Sequence, residues 1–132
     1  MRTITKDITL TLDGKPTVFR LTKLDAFSGA SLLRLLLRLQ ETSPRPTTMD
    51  LLASLSETEL RQTMTACLNH TEVLLPAGPH PVMTGPEWGY PELKHETLAC
   101  VKLTVEGISW SLSDFFSDGA SKAPPASPAT SP

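Results

Sequence analysis

Aromatic side chains are scarce in this chain of 132 residues, which contains four Phe, two Trp and one Tyr. Leucine and the other aliphatic side chains must therefore supply most of the hydrophobic core. No apolar run approaches the roughly 18 residues of a membrane-spanning helix, because Arg34 and Arg38 interrupt the longest leucine-rich stretch. The first ten residues also lack the apolar segment of a signal peptide. We therefore expect a cytoplasmic protein with no membrane partner.

Cysteine is nearly absent, and neither sign of charge dominates. Cys67 and Cys100 are too few and too far apart for a disulfide framework, and the three histidines do not complete the spacing of a structural zinc site. The formal net charge of −2 lacks the positive excess with which nucleic-acid-binding proteins neutralise phosphates. We expect no metal, no cofactor and no nucleic-acid partner.

Catalytic motifs are also missing. The sequence has no Gly-rich phosphate loop, no G-x-S-x-G turn and no H-E-x-x-H helix. His95 and Glu96 are adjacent but lack the second histidine of that helix, and the paired acids Glu57 and Glu59 are explained by a helix cap. We therefore expect a binding protein and no enzyme.

The N-terminal segment, residues 3–21, alternates between apolar and polar side chains in the manner of a half-buried strand. Asp13-Gly14 is a tight-turn signal in its middle, so the segment predicts a β-hairpin. One face carries the apolar side chains Ile4, Ile8, Leu10 and Leu12. Because an isolated hairpin is only marginally stable, we expect this face to pack on helices.

A helix over residues 25–40 is apolar around much of its circumference. The face predicted to enter the core consists of Leu32, Leu35, Leu36 and Leu39. Leu33 and Leu37 form a second strip about 100° away, which either packs inside the domain or binds a partner.

The middle of the chain predicts two further helices within residues 48–69, with Ser56 and Glu59 as the capping box of the second. Residues 76–91 hold many prolines and glycines and predict an irregular loop. Trp88 and Tyr90 in this loop either anchor it on the core, which we favour, or contact a partner.

Residues 91–117 predict one long helix with two apolar sides. The predicted core seam, at heptad spacing, consists of Leu98, Val101, Val105, Ile108, Leu112 and Phe115. Leu103 and Trp110 lie away from that seam, and with Phe116 they are candidates for a partner-binding or self-association surface. Residues 118–132 are small, polar and Pro-rich, which is typical of a disordered tail.

These elements predict a single α+β domain over residues 1–117, in which the β-hairpin packs on a mainly helical body of about four helices. The candidate partner-binding residues are Leu33, Leu37, Leu103, Trp110 and Phe116.

The order of three phrases gives the chain a resemblance to a known family. DGKPTVFRLTKLDAFSGASLLRLLLR follows the Thr-rich first strand, MTGPEWGYPEL occupies the Pro/Gly-rich connection, and WSLSDFF ends the last helix before a polar tail. Over residues 3–117 the sequence resembles the tail assembly chaperones of long-tailed bacteriophages, which are encoded just before the tape-measure protein.

This resemblance implies a protein that does no chemistry. It would bind the long, aggregation-prone tape-measure protein in the host cytoplasm, keep it soluble and help recruit tail-tube subunits, without remaining in the mature virion. Self-association and a longer, frameshifted form of the chain are further expectations. The alternative is a structural virion component, such as a minor tail or connector protein.

Overall fold

The computed structural model describes residues 4–113. Two strands, three helices, four further strands and a last helix follow one another in that order. The four-stranded antiparallel sheet and four helices confirm the predicted α+β fold. Phe115, Phe116 and the predicted disordered tail, residues 118–132, lie outside the described residues.

The predicted hairpin is confirmed. Strand β1 (Thr5–Leu12) pairs antiparallel with β2 (Lys15–Thr22), and Leu12 lies opposite Lys15. The connecting residues Asp13 and Gly14 have φ angles of 50° and 77°, which is the backbone of a two-residue type I′ turn. An Asp-Gly sequence tolerates these left-handed angles, and the turn fixes the register of the whole hairpin.

Two more strands complete the sheet in the order β1-β2-β3-β4, where β3 is Thr71–Leu75 and β4 is Gly78–Pro81. The prediction of an irregular loop over residues 76–91 was therefore partly wrong. Pro79 and Pro81 occur on β4, an edge strand, where a missing backbone N–H is tolerated. The same segment adds a small ribbon of β5 (Met83–Thr84) and β6 (Glu87–Trp88).

The Pro/Gly-rich segment is anchored on the core, as we favoured from its aromatic residues. Tyr90 is buried, and its ring meets Phe19 edge-on at 6.4 Å between centroids, while Trp88 is half-buried against the same core. Asn69 holds the β5–β6 turn through both its amide atoms: Nδ2 donates to the Gly85 carbonyl at 3.0 Å, and Oδ1 accepts from the Gly85 N–H at 2.6 Å.

The first three helices begin at well-formed caps. Helix α1 (Ala26–Gln40) starts after Asp25, whose carboxylate accepts from the Ser28 N–H. Helices α2 (Thr48–Ser54) and α3 (Glu57–Asn69) each start with a capping box. The predicted box of Ser56 and Glu59 is confirmed, because Ser56 Oγ accepts from the Glu59 N–H and Glu59 Oε1 accepts from the Ser56 N–H.

The last helix is shorter than predicted at its N-terminal end. Pro91–Leu93 form a 3₁₀-helical turn, and α4 extends only over Thr97–Ser111. Leu93 is fully buried, and its carbonyl accepts a hydrogen bond from Cys100 Sγ at 3.3 Å. This turn therefore packs into the core as an element separate from α4.

Helix α4 separates two hydrophobic clusters. One lies between the sheet and α4 and includes Phe19, Leu21, Val73 and Leu103. The other joins α1, α2, α3 and α4 and consists of Leu32, Leu36, Leu51, Cys67 and Ile108. Among residues 4–113, no helix has the length and apolar character needed to cross a membrane.

Candidate partner-binding surfaces

Two of the three histidines and both cysteines have local structural roles. His70 Nδ1 lies 2.8 Å from the Ala66 carbonyl oxygen, and His80 Nε2 lies 2.7 Å from that of Gly89. Burial raises the pKa of the Cys67 thiol to about 12 and also raises the pKa of Cys100. Within the described part of the chain, no three His, Cys, Asp or Glu side chains are grouped to hold a metal ion.

Helix α4 is rotated relative to the prediction. Leu103, proposed as a partner-binding residue, is fully buried, whereas Leu98, assigned to the core seam, is 76% exposed. The buried face of α4 consists of Ala99, Cys100, Leu103, Thr104, Gly107 and Ile108. This face contains a glycine and a threonine, so counting large apolar residues selected the neighbouring face instead.

Two contacts explain why those small residues face inward. A Cβ at Gly107 would lie 3.5 Å from Cys67 Cβ, which is ordinary van der Waals contact, so α4 packs against α3 at this small residue. Thr104 Oγ1 donates to the Cys100 carbonyl at 2.8 Å, which satisfies its hydroxyl in the core.

The other seam residues divide between the core and the surface. Ile108 is fully buried as predicted, and Leu112 is half-buried against the helical cluster. Val101 and Val105 are half-buried and line an open groove. Phe115 lies outside the described residues.

Trp110 is held by its own chain and does not form a free binding surface. Its indole Nε1 donates to the Ile4 carbonyl at 3.3 Å, and the Nζ atoms of Lys23 and Lys6 lie 4.8 and 5.9 Å from the ring centroid. These contacts join the end of α4 to the start of the hairpin.

Helix α1 exposes an apolar surface on the side opposite its core face. We define the α1 outer face as Phe27, Ala30, Leu33 and Leu37, which lie within about 120° of the helix circumference. Phe27 is 88% exposed and Leu37 is 50% exposed, while Leu33 is half-buried. Leu33 and Leu37 therefore lie on a surface that a partner can reach, whereas Leu103 does not.

A cleft of about 740 Å³ lies beside this face, between α1 and α3. Leu32, Leu35 and Leu37 supply its apolar wall. At its rim, Arg38 on α1 forms two hydrogen bonds with Glu59 on α3. The cleft thus combines a leucine wall with a charged rim.

A second apolar surface lies between β1 and α4. We call it the β1–α4 groove; its volume is about 540 Å³ and its apolar lining consists of Ile8, Leu10, Met49, Leu98, Val101 and Val105. Met49 is 57% exposed and comes from α2. Lys102 and Glu106, one helical turn apart on α4, supply charges to the groove.

Sequence reasoning missed this groove because its residues come from three separate elements. Leu98, Val101 and Val105 were recognised as one apolar stripe, but nothing local shows that the hairpin leaves that stripe uncovered.

Comparison of the chain with protein-family models, with curated proteins and with solved structures finds no match.

Proposed function

We propose that the protein is a tail assembly chaperone of a long-tailed bacteriophage. It binds the tape-measure protein in the host cytoplasm, keeps it soluble and helps recruit tail-tube subunits. Three phrases of the sequence support this proposal. The observation that carries the proposal is the α1 outer face, where Phe27 and Leu37 lie exposed to solvent.

The α1 outer face suits an elongated helical client. Its apolar residues recur along a helix, so an amphipathic client helix can pack alongside them with its own apolar stripe. Each fully buried leucine contributes roughly 1.5–3 kcal/mol, so a few such contacts give micromolar binding after the costs of association. Capture of this strength is reversible, as assembly of a tail requires.

The rim of the neighbouring cleft orients the client. Arg34 and Arg38 lie beside Leu37 on α1, and Glu59 lies across the cleft on α3. A client helix whose apolar stripe is flanked by acidic residues can pair with Arg34 while Leu37 is covered. Charge on the rim therefore selects among apolar helices that would otherwise bind equally well.

Co-expression with the tape-measure protein tests this function. We expect the wild-type chain to raise the soluble yield of the client, and the triple variant Phe27→Gln, Leu33→Gln, Leu37→Gln to lose this effect while it stays folded. Ile4→Gln is the matched control, because Ile4 is also exposed but lies at the start of the hairpin, near Trp110. Full client solubilisation by the folded triple variant would rule out the α1 outer face.

The alternative, a structural virion component, differs from a chaperone in that it remains in the mature particle. A chaperone is absent from purified particles after assembly, whereas a minor tail or connector protein is present at a fixed copy number. Quantitative mass spectrometry of purified virions separates these two results, and detection at fixed stoichiometry would overturn the chaperone assignment.

A further inference from the structure

Strand β1 forms an open edge of the sheet. Among residues 4–113 it pairs with β2 on one side and with no strand on the other. It is eight residues long and contains neither proline nor glycine, so it lacks features that commonly protect strand edges. Its two charges are engaged within the chain, since Asp7 accepts from Arg20 Nε at 2.9 Å and Lys6 Nζ lies 3.6 Å from Glu106 Oε1.

The hairpin register shows which backbone groups face outward. A two-residue type I′ turn closes on a hydrogen-bonded pair, here Leu12 and Lys15, and hydrogen-bonded pairs alternate along the ladder from that point. The N–H and C=O groups of Thr5, Asp7, Thr9 and Thr11 therefore point to the open edge. The hydrogen bond from the Thr22 N–H to the His70 carbonyl agrees with this assignment, because Thr22, opposite Thr5, bonds away from β1.

The β1–α4 groove continues from this edge on the inner face of the sheet. Ile8 and Leu10 of β1 form its floor, and Leu98, Val101 and Val105 of α4 form its wall. An added strand would thus find unpaired backbone groups and an apolar surface side by side. This arrangement combines the two requirements of strand addition, which are main-chain hydrogen bonds and a pocket for alternate side chains.

We propose that the occupant is a second copy of this chain, and that two β1 strands pair antiparallel about a two-fold axis at Thr9 to form an eight-stranded sheet. In this register Ile8 of each copy lies opposite Leu10 of the other, so apolar residues face each other across the new ladder. An axis at Asp7 would place two carboxylates opposite each other. An axis at Leu10 would oppose Asp7 and Asp13.

Helix α4 supports the same axis. It packs over both β1 and β2. When the two β1 strands pair, about 4.8 Å apart, the two α4 helices therefore come to lie side by side and cover Leu98 and Val101. The surface is thus self-complementary in hydrogen bonding and apolar contact, and it does not depend on the proposed function.

Cross-linking tests the register directly. Residues facing each other in a hydrogen-bonded pair have Cα atoms about 5.5 Å apart, which suits a disulfide, so Thr9→Cys should give a covalent dimer under mild oxidation. Thr11→Cys should remain uncross-linked, because the two Thr11 positions lie about 14 Å apart in this register. The wild-type chain controls for the buried Cys67 and Cys100. A dimer formed through Thr11→Cys and not through Thr9→Cys would overturn the proposed axis.

Sedimentation equilibrium of the full chain tests the interface energetically. Thr9→Pro removes an outward N–H without removing a hairpin bond and should raise the dimer dissociation constant at least about tenfold, whereas Thr9→Val should leave it unchanged. Leu98→Glu should weaken the dimer by a similar factor, and Phe27→Glu, on the α1 outer face, should not. A wild-type chain that is monomeric at every concentration up to about millimolar would refute the proposal, and so would a dimer insensitive to both Thr9→Pro and Leu98→Glu. Binding of the tape-measure protein at this surface in place of the second copy would also overturn it.

Discussion

Arg38 on α1 and Glu59 on α3 form a two-pronged ion pair, in which Nη1 and Nη2 each donate to a different carboxylate oxygen at 3.1 Å. The same carboxylate accepts from the Ser56 N–H at 3.0 Å, so it caps α3 as well as linking it to α1. The Arg38 hydrogen bonds lower the pKa of Glu59 to about 2, with a further contribution from the Ser56 N–H.

Glu59→Gln should therefore destabilise the fold in a pH-dependent way. Because the folded-state pKa is below the reference value of 4.5, the ionised carboxylate stabilises the fold above pH 4.5, and this stabilisation is lost as the pH falls towards 2. Urea midpoints of wild type and Glu59→Gln should differ at pH 7 and converge across that window.

Glu57→Gln is the matched control, because Glu57 lies in the same first turn and forms no ion pair within residues 4–113. The difference in urea midpoint between wild type and Glu57→Gln should change much less between pH 7 and pH 3. If the difference in urea midpoint between wild type and Glu59→Gln stayed constant down to pH 2, the ion pair would not stabilise the fold.

The structure reverses the predicted positions of two leucines on α4, since Leu98 is exposed and Leu103 is buried. This reversal gives a second prediction. Leu103→Ala should cost about 2–5 kcal/mol, because it removes a fully buried side chain from the cluster between α4 and the sheet. Leu98→Ala should change the free energy of unfolding of the monomer by less than about 0.5 kcal/mol. Chemical denaturation at low protein concentration measures both values, and similar losses for the two variants would contradict the observed orientation of α4.

Local sequence signals predicted the hairpin and the start of α3 because each depends on residues close in the chain. Asp13-Gly14 sets the turn, and Ser56 with Glu59 sets the start of α3, within four residues in each case. The core face of α1 was also predicted, since Leu32 and Leu36 are buried and Leu37 is exposed.

The orientation of α4 could not be predicted because it depends on contacts between distant residues. Gly107 faces inward since it meets Cys67 on α3, and Leu24 N–H donates to Ser111 Oγ at 2.9 Å across 87 positions of the chain. The strands within residues 76–91 were missed for a similar reason: β4 tolerates its prolines only because it pairs at an edge with β3. Client binding and self-association stay predictions.

Two glycines should respond in opposite ways to alanine. A Cβ at Gly89 would collide with the Pro81 carbonyl oxygen, a backbone atom, and the Gly89 N–H donates to the Val82 carbonyl at 2.8 Å. Gly89→Ala should therefore displace the β5–β6 ribbon and lower the thermal midpoint by several degrees, since each 1 kcal/mol corresponds to roughly 4–8 °C in a domain of this size.

Gly29→Ala is the matched substitution, because Gly29 lies in α1 and a Cβ there would meet no atom within 4 Å. Alanine should stabilise the helix by about 0.5–1 kcal/mol, since it reduces the backbone freedom of the unfolded chain. Equal thermal midpoints for the Gly89→Ala and Gly29→Ala variants would show that the approach of Pro81 to Gly89 does not constrain the fold.

Cys67 should be protected from thiol reagents in the folded protein. Its buried thiol has a pKa of about 12, so at pH 8 the thiolate is about a thousandfold rarer than in the unfolded chain. The Cys100→Ala variant isolates this cysteine, and labelling with an aromatic disulfide reagent should be at least about a hundredfold slower in buffer than in denaturant. Thr11→Cys provides the exposed control and should label rapidly. If the folded Cys100→Ala variant were labelled at a rate within tenfold of its denatured rate, α3 and α4 would separate readily. The packing of Gly107 against Cys67 would then not hold the two helices together.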